Sequence, residues 1–312
     1  RLWTPNSNPQ LPVDNTPVVG NTPATPAAPV SLNLTSTIDG EATGDRAGLG
    51  VACNADGSII AIGAYKNDGI NGADSGHVRL YQWNGSSWDQ MGSDIDGENA
   101  NDESGIIVSL SSDGTIVAIG ALSNDGTTGN ASDNRGHVSI FQWDGSTWNQ
   151  VGVDIDGEAA GDQSGRGISL SSDGTIVAIG APNNDAGDSN NDGGGHVRVY
   201  KWNGSSWDQV GLDIDGAAAG DYSGGSLSLS SDGTLLAIGS GYSGANGAAS
   251  GQIRVFHWDG SSWNQVGDDI NGEAADHLLG NALALSSDGS LLVGAAYNYN
   301  AGDGRVYTYE IV

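Results

Sequence analysis

Carboxylates recur in this chain at fixed offsets. Asp39-Gly-Glu41 opens a loop that ends at Asp45, and the same loop returns as Asp96, Glu98 and Asp102, then as Asp156, Glu158 and Asp162. A fourth version keeps Asp215 and Asp221 but has Ala217, and a fifth reads Asn271, Glu273 and His277. Carboxylates gathered at one end of a symmetric fold would bind cations or the hydroxyls of sugars. Asp45, Asp102, Asp162 and Asp221 are therefore the ligand-binding candidates. The competing reading is structural, because Asp and Asn cap tight turns by accepting from nearby backbone N–H groups. A second acidic stretch, "DAGDSNND", holds Asp185, Asp188 and Asp192. Its oxygen-rich spacing suits calcium, which takes about 6–8 oxygen ligands, and calcium is the only cofactor the sequence suggests. Its glycines and its irregular length in the other copies favour a solvated loop.

Three other residue types repeat. Gly-His-Val occurs at His77, His137 and His196, but the matching positions are Gln252 and Arg305. Each histidine opens a strand of a different repeat, so the three are expected to diverge in space and to be structural. Trp pairs stand at Trp83/Trp88, Trp143/Trp148, Trp202/Trp207 and Trp258/Trp263, each flanking a short polar turn. Such pairs stabilise a hairpin across its two strands, and their faces also suit sugar stacking. Glycosylation sequons stand at Asn33, Asn84, Asn130 and Asn203. The equivalents of Asn84 and Asn203 are Asp144 and Asp259, so turn chemistry alone accounts for those two.

The elements that position these residues follow from the repetition itself. "SSDGTIVAIGA" is written twice without change, at Ser111–Ala121 and Ser171–Ala181, and its Asp-Gly turn falls at Asp56, Asp113, Asp173, Asp232 and Asp288. The Trp pairs and an Ile-Asp-Gly or Ile-Asn-Gly marker at Ile38, Ile95, Ile155, Ile214 and Ile270 keep the same period. Self-similarity of this length belongs to solenoids, propellers and arrays. Within one copy, Gly167–Ser171 alternates, Asp173-Gly174 is a hairpin turn and Thr175–Ala181 is a β-branched apolar strand. His196–Trp202 and Ser206–Ile214 supply the third and fourth strands. No stretch carries a helical period. The fold expected is all-β: a five-bladed β-propeller of four-stranded antiparallel blades, spanning residues 31–312. The repeats run over 39–95, 96–155, 156–214, 215–270 and 271–312. The last lacks its fourth strand, so residues 31–38 are expected to close the ring and remove an open edge.

These copies resemble the FG-GAP repeats of the integrin α-chain propeller. The resemblance lies in Gly48, Gly105, Gly165, Gly224 and Gly280, and in Gly180-Ala181-Pro182, which weakens to Gly63-Ala64-Tyr65 and similar triplets elsewhere. It implies a propeller with a calcium loop between the first two strands. Here that link is only Ser-Asp-Gly-Thr, too short to wrap an ion, so the family's calcium sites do not carry over.

Composition narrows the function. The net charge is −28 and only Lys66 and Lys201 are lysines, which disfavours nucleic acid and anionic membranes. Cys53 stands alone and reads as a small buried residue. Residues 1–30 carry seven prolines and four Thr-Pro steps, the composition of an extended polyproline-like arm. The repeats stay near-symmetric, with no phosphate loop, helix-borne His pair or nucleophile elbow, so the chain reads as a non-enzyme. The function expected is an extracellular, secreted structural protein that self-associates through residues 1–38 into a surface layer or filament. The alternative is a lectin-like or adhesion propeller for glycans or surface proteins.

Overall fold

The computed structural model describes residues 36–126, 133–185 and 193–312. The chain divides after Thr37, and the unit Ile38–Val312 holds every described strand. The first antiparallel sheet is β1 (Val51–Cys53), β2 (Ile59–Ala64), β3 (His77–Trp83), β4 (Trp88–Gln90) and β5 (Ile95–Asp96). The second repeats it as β6 (Ile107–Leu110), β7 (Ile116–Ala121), β8 (His137–Trp143), β9 (Trp148–Gln150) and β10 (Ile155–Asp156). The third is β11 (Gly167–Leu170), β12 (Ile176–Ala181), β13 (His196–Trp202), β14 (Trp207–Gln209) and β15 (Ile214–Asp215). The fourth is β16 (Ser226–Leu229), β17 (Leu235–Ser240), β18 (Gln252–Trp258), β19 (Trp263–Gln265) and β20 (Ile270–Asn271). The last holds β21 (Leu279–Leu285), β22 (Leu291–Ala296) and β23 (Arg305–Glu310). The result is a β-propeller-like all-β fold.

Consecutive sheets share their cores. Ile59, Val78 and Leu80 of the first sheet pack with Val108, Val117 and Ile119 of the second, and the pattern repeats down the chain. Each such side chain contributes about 1.5–3 kcal/mol of burial. The identical turn sequences are explained by bonds from copy to copy. Ala55 N–H donates to Ser112 O, Ser112 N–H to Ser172 O, Ser172 N–H to Ser231 O and Ser231 N–H to Ser287 O, at 2.8–2.9 Å. Within each turn the Asp also works locally: Thr175 N–H and Ser171 Oγ–H both donate to Asp173 Oδ1. The glycines behind the FG-GAP resemblance meet across the sheets. A Cβ on Gly180 would lie 2.0 Å from Gly224 O, and one on Gly63 would fall on Gly105 O.

Two expectations need correction. The fourth strand is not continuous. It breaks into two short pieces that both pair with the third strand, because Gly92, Gly152, Gly211 and Gly267 turn the chain at φ of 68–82°. Cys53 is exposed, at the end of β1. Residues 31–35 of the expected closing strand and the arm 1–30 lie outside the described residues, and 36–38 form no strand.

Candidate functional site

The connections alternate between two ends of the sheets. One end carries the Asp-Gly and Trp-flanked turns. The other carries the acidic loops and the link from the second to the third strand, and the chemistry gathers there.

Asp45, Asp102, Asp162 and Asp221 do not form an open carboxylate ring. Each is only 2–4 % exposed. Asp102 Oδ2 accepts from Asn99 N–H and from Asn124 Nδ2–H, both at 2.9 Å. Asp45 takes the same pair of bonds from Ala42 and Asn67, and Asp162 from Ala159 and Asn184. Asp221 accepts from Ala218 N–H at 3.0 Å, and burial raises its pKa. These carboxylates staple the acidic loop to the loop after the second strand. In the fifth copy His277 and Tyr299 replace the staple by an edge-on ring contact at 4.7 Å. At these positions each carboxylate caps its own loop.

Of the proposed calcium loop, Asp188 and Asp192 lie outside the described residues. Asp185 is described, and its buried Oδ1 has no hydrogen-bond partner. It lines a cleft of about 370 Å³ with Glu158, Asp162, His196, Asp213 and Asp215. Asn33 and Asn130 also fall outside the described residues. Asn84 and Asn203 are exposed, and each side chain is bonded within its own turn: Nδ2 donates to Ser87 Oγ and Ser206 Oγ respectively at 2.8 Å.

The Trp pairs serve packing. Their ring centroids lie 5.3–5.5 Å apart. The second Trp of each later pair reaches into the preceding sheet: Trp148 Nε1–H donates to Met91 O, Trp207 to Val151 O and Trp263 to Val210 O, at 2.8–2.9 Å. The accepting carbonyl immediately precedes the break in the fourth strand, so each Trp holds that break in place.

The break positions a residue the sequence reading passed over. Asp94, Asp154 and Asp213 follow the turning glycine and come back to the histidine that opens the third strand. His77, His137 and His196 do diverge from one another, but each meets its own glutamate and aspartate. Glu41–His77–Asp94, Glu98–His137–Asp154 and Glu158–His196–Asp213 each bring three ligand atoms within 4.8 Å of one another. Burial, with the nearby Asp154, raises the pKa of Glu98. Burial and the Arg198 charge lower that of His196 to about 4, so its imidazole is neutral near pH 7. The signal was present in the sequence: His occurs where the acidic loop carries Glu, and Gln252 occurs where the loop has Ala217.

One cleft breaks the repeat. Where the first and second strands of the last three sheets end, Arg166, Gln163, Asn183, Tyr222, Tyr242 and Asn281 line a space of about 210 Å³. The position of Arg166 is Leu49, Ile106, Gly225 and Asn281 in the other copies; that of Tyr242 is Lys66, Ser123, Asn183 and Asn298. Tyr222 and Tyr242 meet edge to face at 5.3 Å, and both are partly exposed.

No protein-family model matches the chain, so the FG-GAP resemblance rests on its short motifs alone. No curated protein matches the sequence significantly. Among solved structures, the fold is similar to one described as "a putative 6-phosphogluconolactonase from Bacteroides uniformis". The TM-score is 0.52 at 12% identity, over 84% of this chain and 71% of that one. The expectation of a non-enzyme is thereby overturned: a propeller of this shape is described as an enzyme, and near-symmetry, the ground for excluding catalysis, fails at the Arg166 cleft.

Proposed function

We propose that this chain is a ligand-binding β-propeller that takes a small, anionic, polyhydroxylated ligand of the sugar-acid class in the Arg166 cleft. The asymmetry of that cleft carries the reading. Structural pressure keeps equivalent residues alike in a repeat, and here several positions from three copies depart together around one space. In a chain of net charge −28, Arg166 offers an exposed guanidinium beside two tyrosines and three side-chain amides. That combination suits a carboxylate or phosphate attached to a sugar ring: the guanidinium pairs with the anion, and the ring stacks on an aromatic face. The similar propeller's description names a phosphorylated sugar-acid lactonase, which supports the same ligand class. Hydrolysis of a sugar-acid lactone in this cleft is the second reading, favoured by that likeness.

The supporting architecture we infer is a closed ring of five blades; the outer edge of β23 has no fourth strand among the described residues. Calorimetric titration of the full chain with gluconate, 6-phosphogluconate and galacturonate tests the binding. At least one should bind, and Arg166→Ala and Tyr242→Ser should each weaken it about tenfold or more. Unchanged affinity in both variants would refute the assignment. A lactone-consumption assay on the same proteins tests turnover.

A further inference from the structure

We infer that the three Glu–His–Asp clusters are binding sites for a divalent transition-metal ion of the zinc class, one in each of the first three sheets. The histidines are deeply buried and turn one ring nitrogen to the carboxylates: His77 and His196 are 1 % exposed, and Nδ1 is the atom each presents to its cluster. Nδ1 of His77 lies 3.6 Å from Asp94 Oδ2 and 4.0 Å from Glu41 Oε2. Nδ1 of His196 lies 3.8 Å from both Glu158 Oε2 and Asp213 Oδ2. These separations exceed a hydrogen bond, which would draw the atoms to about 2.7–3.2 Å. They approach the spacing of donors around a shared ion. Bonds of about 2.0–2.2 Å in tetrahedral geometry put neighbouring donors about 3.3–3.6 Å apart.

The remaining copies supply an internal control, because each fills the same place with a donor of its own. In the fourth sheet Gln252 stands for His, and its Nε2–H₂ donates to Asp269 Oδ2 at 3.1 Å and to Asn271 Oδ1 at 3.0 Å. In the fifth, Arg305 Nη1–H donates to Glu273 Oε1 at 2.8 Å. Where the position is His, three lone-pair-bearing groups converge instead, and a cation reconciles them. One imidazole nitrogen with two carboxylates suits zinc and its first-row neighbours better than calcium, which prefers an all-oxygen shell.

The three sites are not equal. In the first and third sheets the other glutamate oxygen faces an arginine: Glu41 Oε1 is 3.6 Å from Arg79 Nη1, and Glu158 Oε1 is 3.7 Å from Arg198 Nη1. Ser139 takes that position in the second sheet, so no arginine of that strand competes with an ion for Glu98. The Glu98–His137–Asp154 site is therefore the tightest.

The test is titration of the chelator-stripped full chain with Zn²⁺ and with Co²⁺, read by calorimetry and by the visible Co²⁺ spectrum. Three ions per chain are expected, the first bound most tightly, with Ca²⁺ at least tenfold weaker. His137→Gln should abolish the tightest class and leave two ions. The triple variant His77→Gln, His137→Gln and His196→Gln should bind none. Gln is the residue of the fourth sheet at this position, so these variants keep the fold, as circular dichroism would verify. Glu98→Ala, copying Ala217, is an independent variant with the same expected loss. Undiminished stoichiometry in the triple variant, no binding by the parent chain, or tighter Ca²⁺ than Zn²⁺ binding would each overturn the inference.

Discussion

Gly180→Ala is the sharpest probe of how the sheets are held. Gly180 has no left-handed backbone angle, so alanine is conformationally acceptable there. At an open site the change would stabilise the protein by about 0.4–1 kcal/mol, by restricting the unfolded chain. Here the new Cβ would lie 2.0 Å from Gly224 O, 2.8 Å from its carbonyl carbon and 3.0 Å from its Cα. All three atoms are backbone of the next sheet, so no side chain can swing away. Relief requires the third and fourth sheets to part by about 1 Å, against the core of Val197, Ile214, Leu236 and Ile238. Overpacking of this kind costs about 1–3 kcal/mol. The net effect is a loss of about 1.3 kcal/mol, or about 3–5 °C in melting temperature for a domain of this size. Tryptophan fluorescence and circular dichroism melts would measure it. The sign is decisive: a melting temperature that rises or stays level would mean the glycines do not touch, and the account of the repeated Gly positions would fail.

Three further outcomes are expected. Asp102→Ala removes the acceptor for Asn99 N–H and for the buried Asn124 amide, so it should cost about 2–4 kcal/mol in urea unfolding while leaving sugar-acid affinity within twofold; a loss of affinity without a loss of stability would restore the ligand-binding assignment of that residue. Trp207→Phe keeps most of the packing but loses the bond to Val151 O, and should lower stability by about 1 kcal/mol, equivalent to about 2–4 °C in the melt. Bonds from the Ser286 hydroxyl and Ser290 N–H lower the pKa of Asp288 to about 2 in the folded state, from an ordinary value of 3.8. Its contribution to stability is therefore full above pH 3.8 and is lost as the pH falls to 2. Asp288→Asn should flatten the decline of the denaturation midpoint over that range, and an unchanged slope would remove the carboxylate from the account.

The parts of this molecule that were legible in sequence are those fixed by near neighbours. The Asp-Gly turn, the β-branched run after it and the Trp-flanked hairpin each lie within a few residues, so strands and repeat length followed directly. The metal-binding clusters were harder because each joins three distant positions. Asp94 reaches His77 only because Gly92 breaks the fourth strand and Trp148, from the next repeat, holds Met91 O beside the break. Reading along the chain separates these residues; reading across the copies unites them, since His77, His137 and His196 each go with a glutamate while Gln252 goes with Ala217. The Arg166 cleft was hidden for the opposite reason. It consists of departures from the repeat, one or two in each of three copies, and each alone looks like drift. Packing of the third, fourth and fifth sheets turns them into one surface. In a repeat protein the conformity of the copies reports the scaffold, and function is found where residues change together: within a copy, as at the histidines, or across a seam, as at Arg166, Tyr222 and Tyr242.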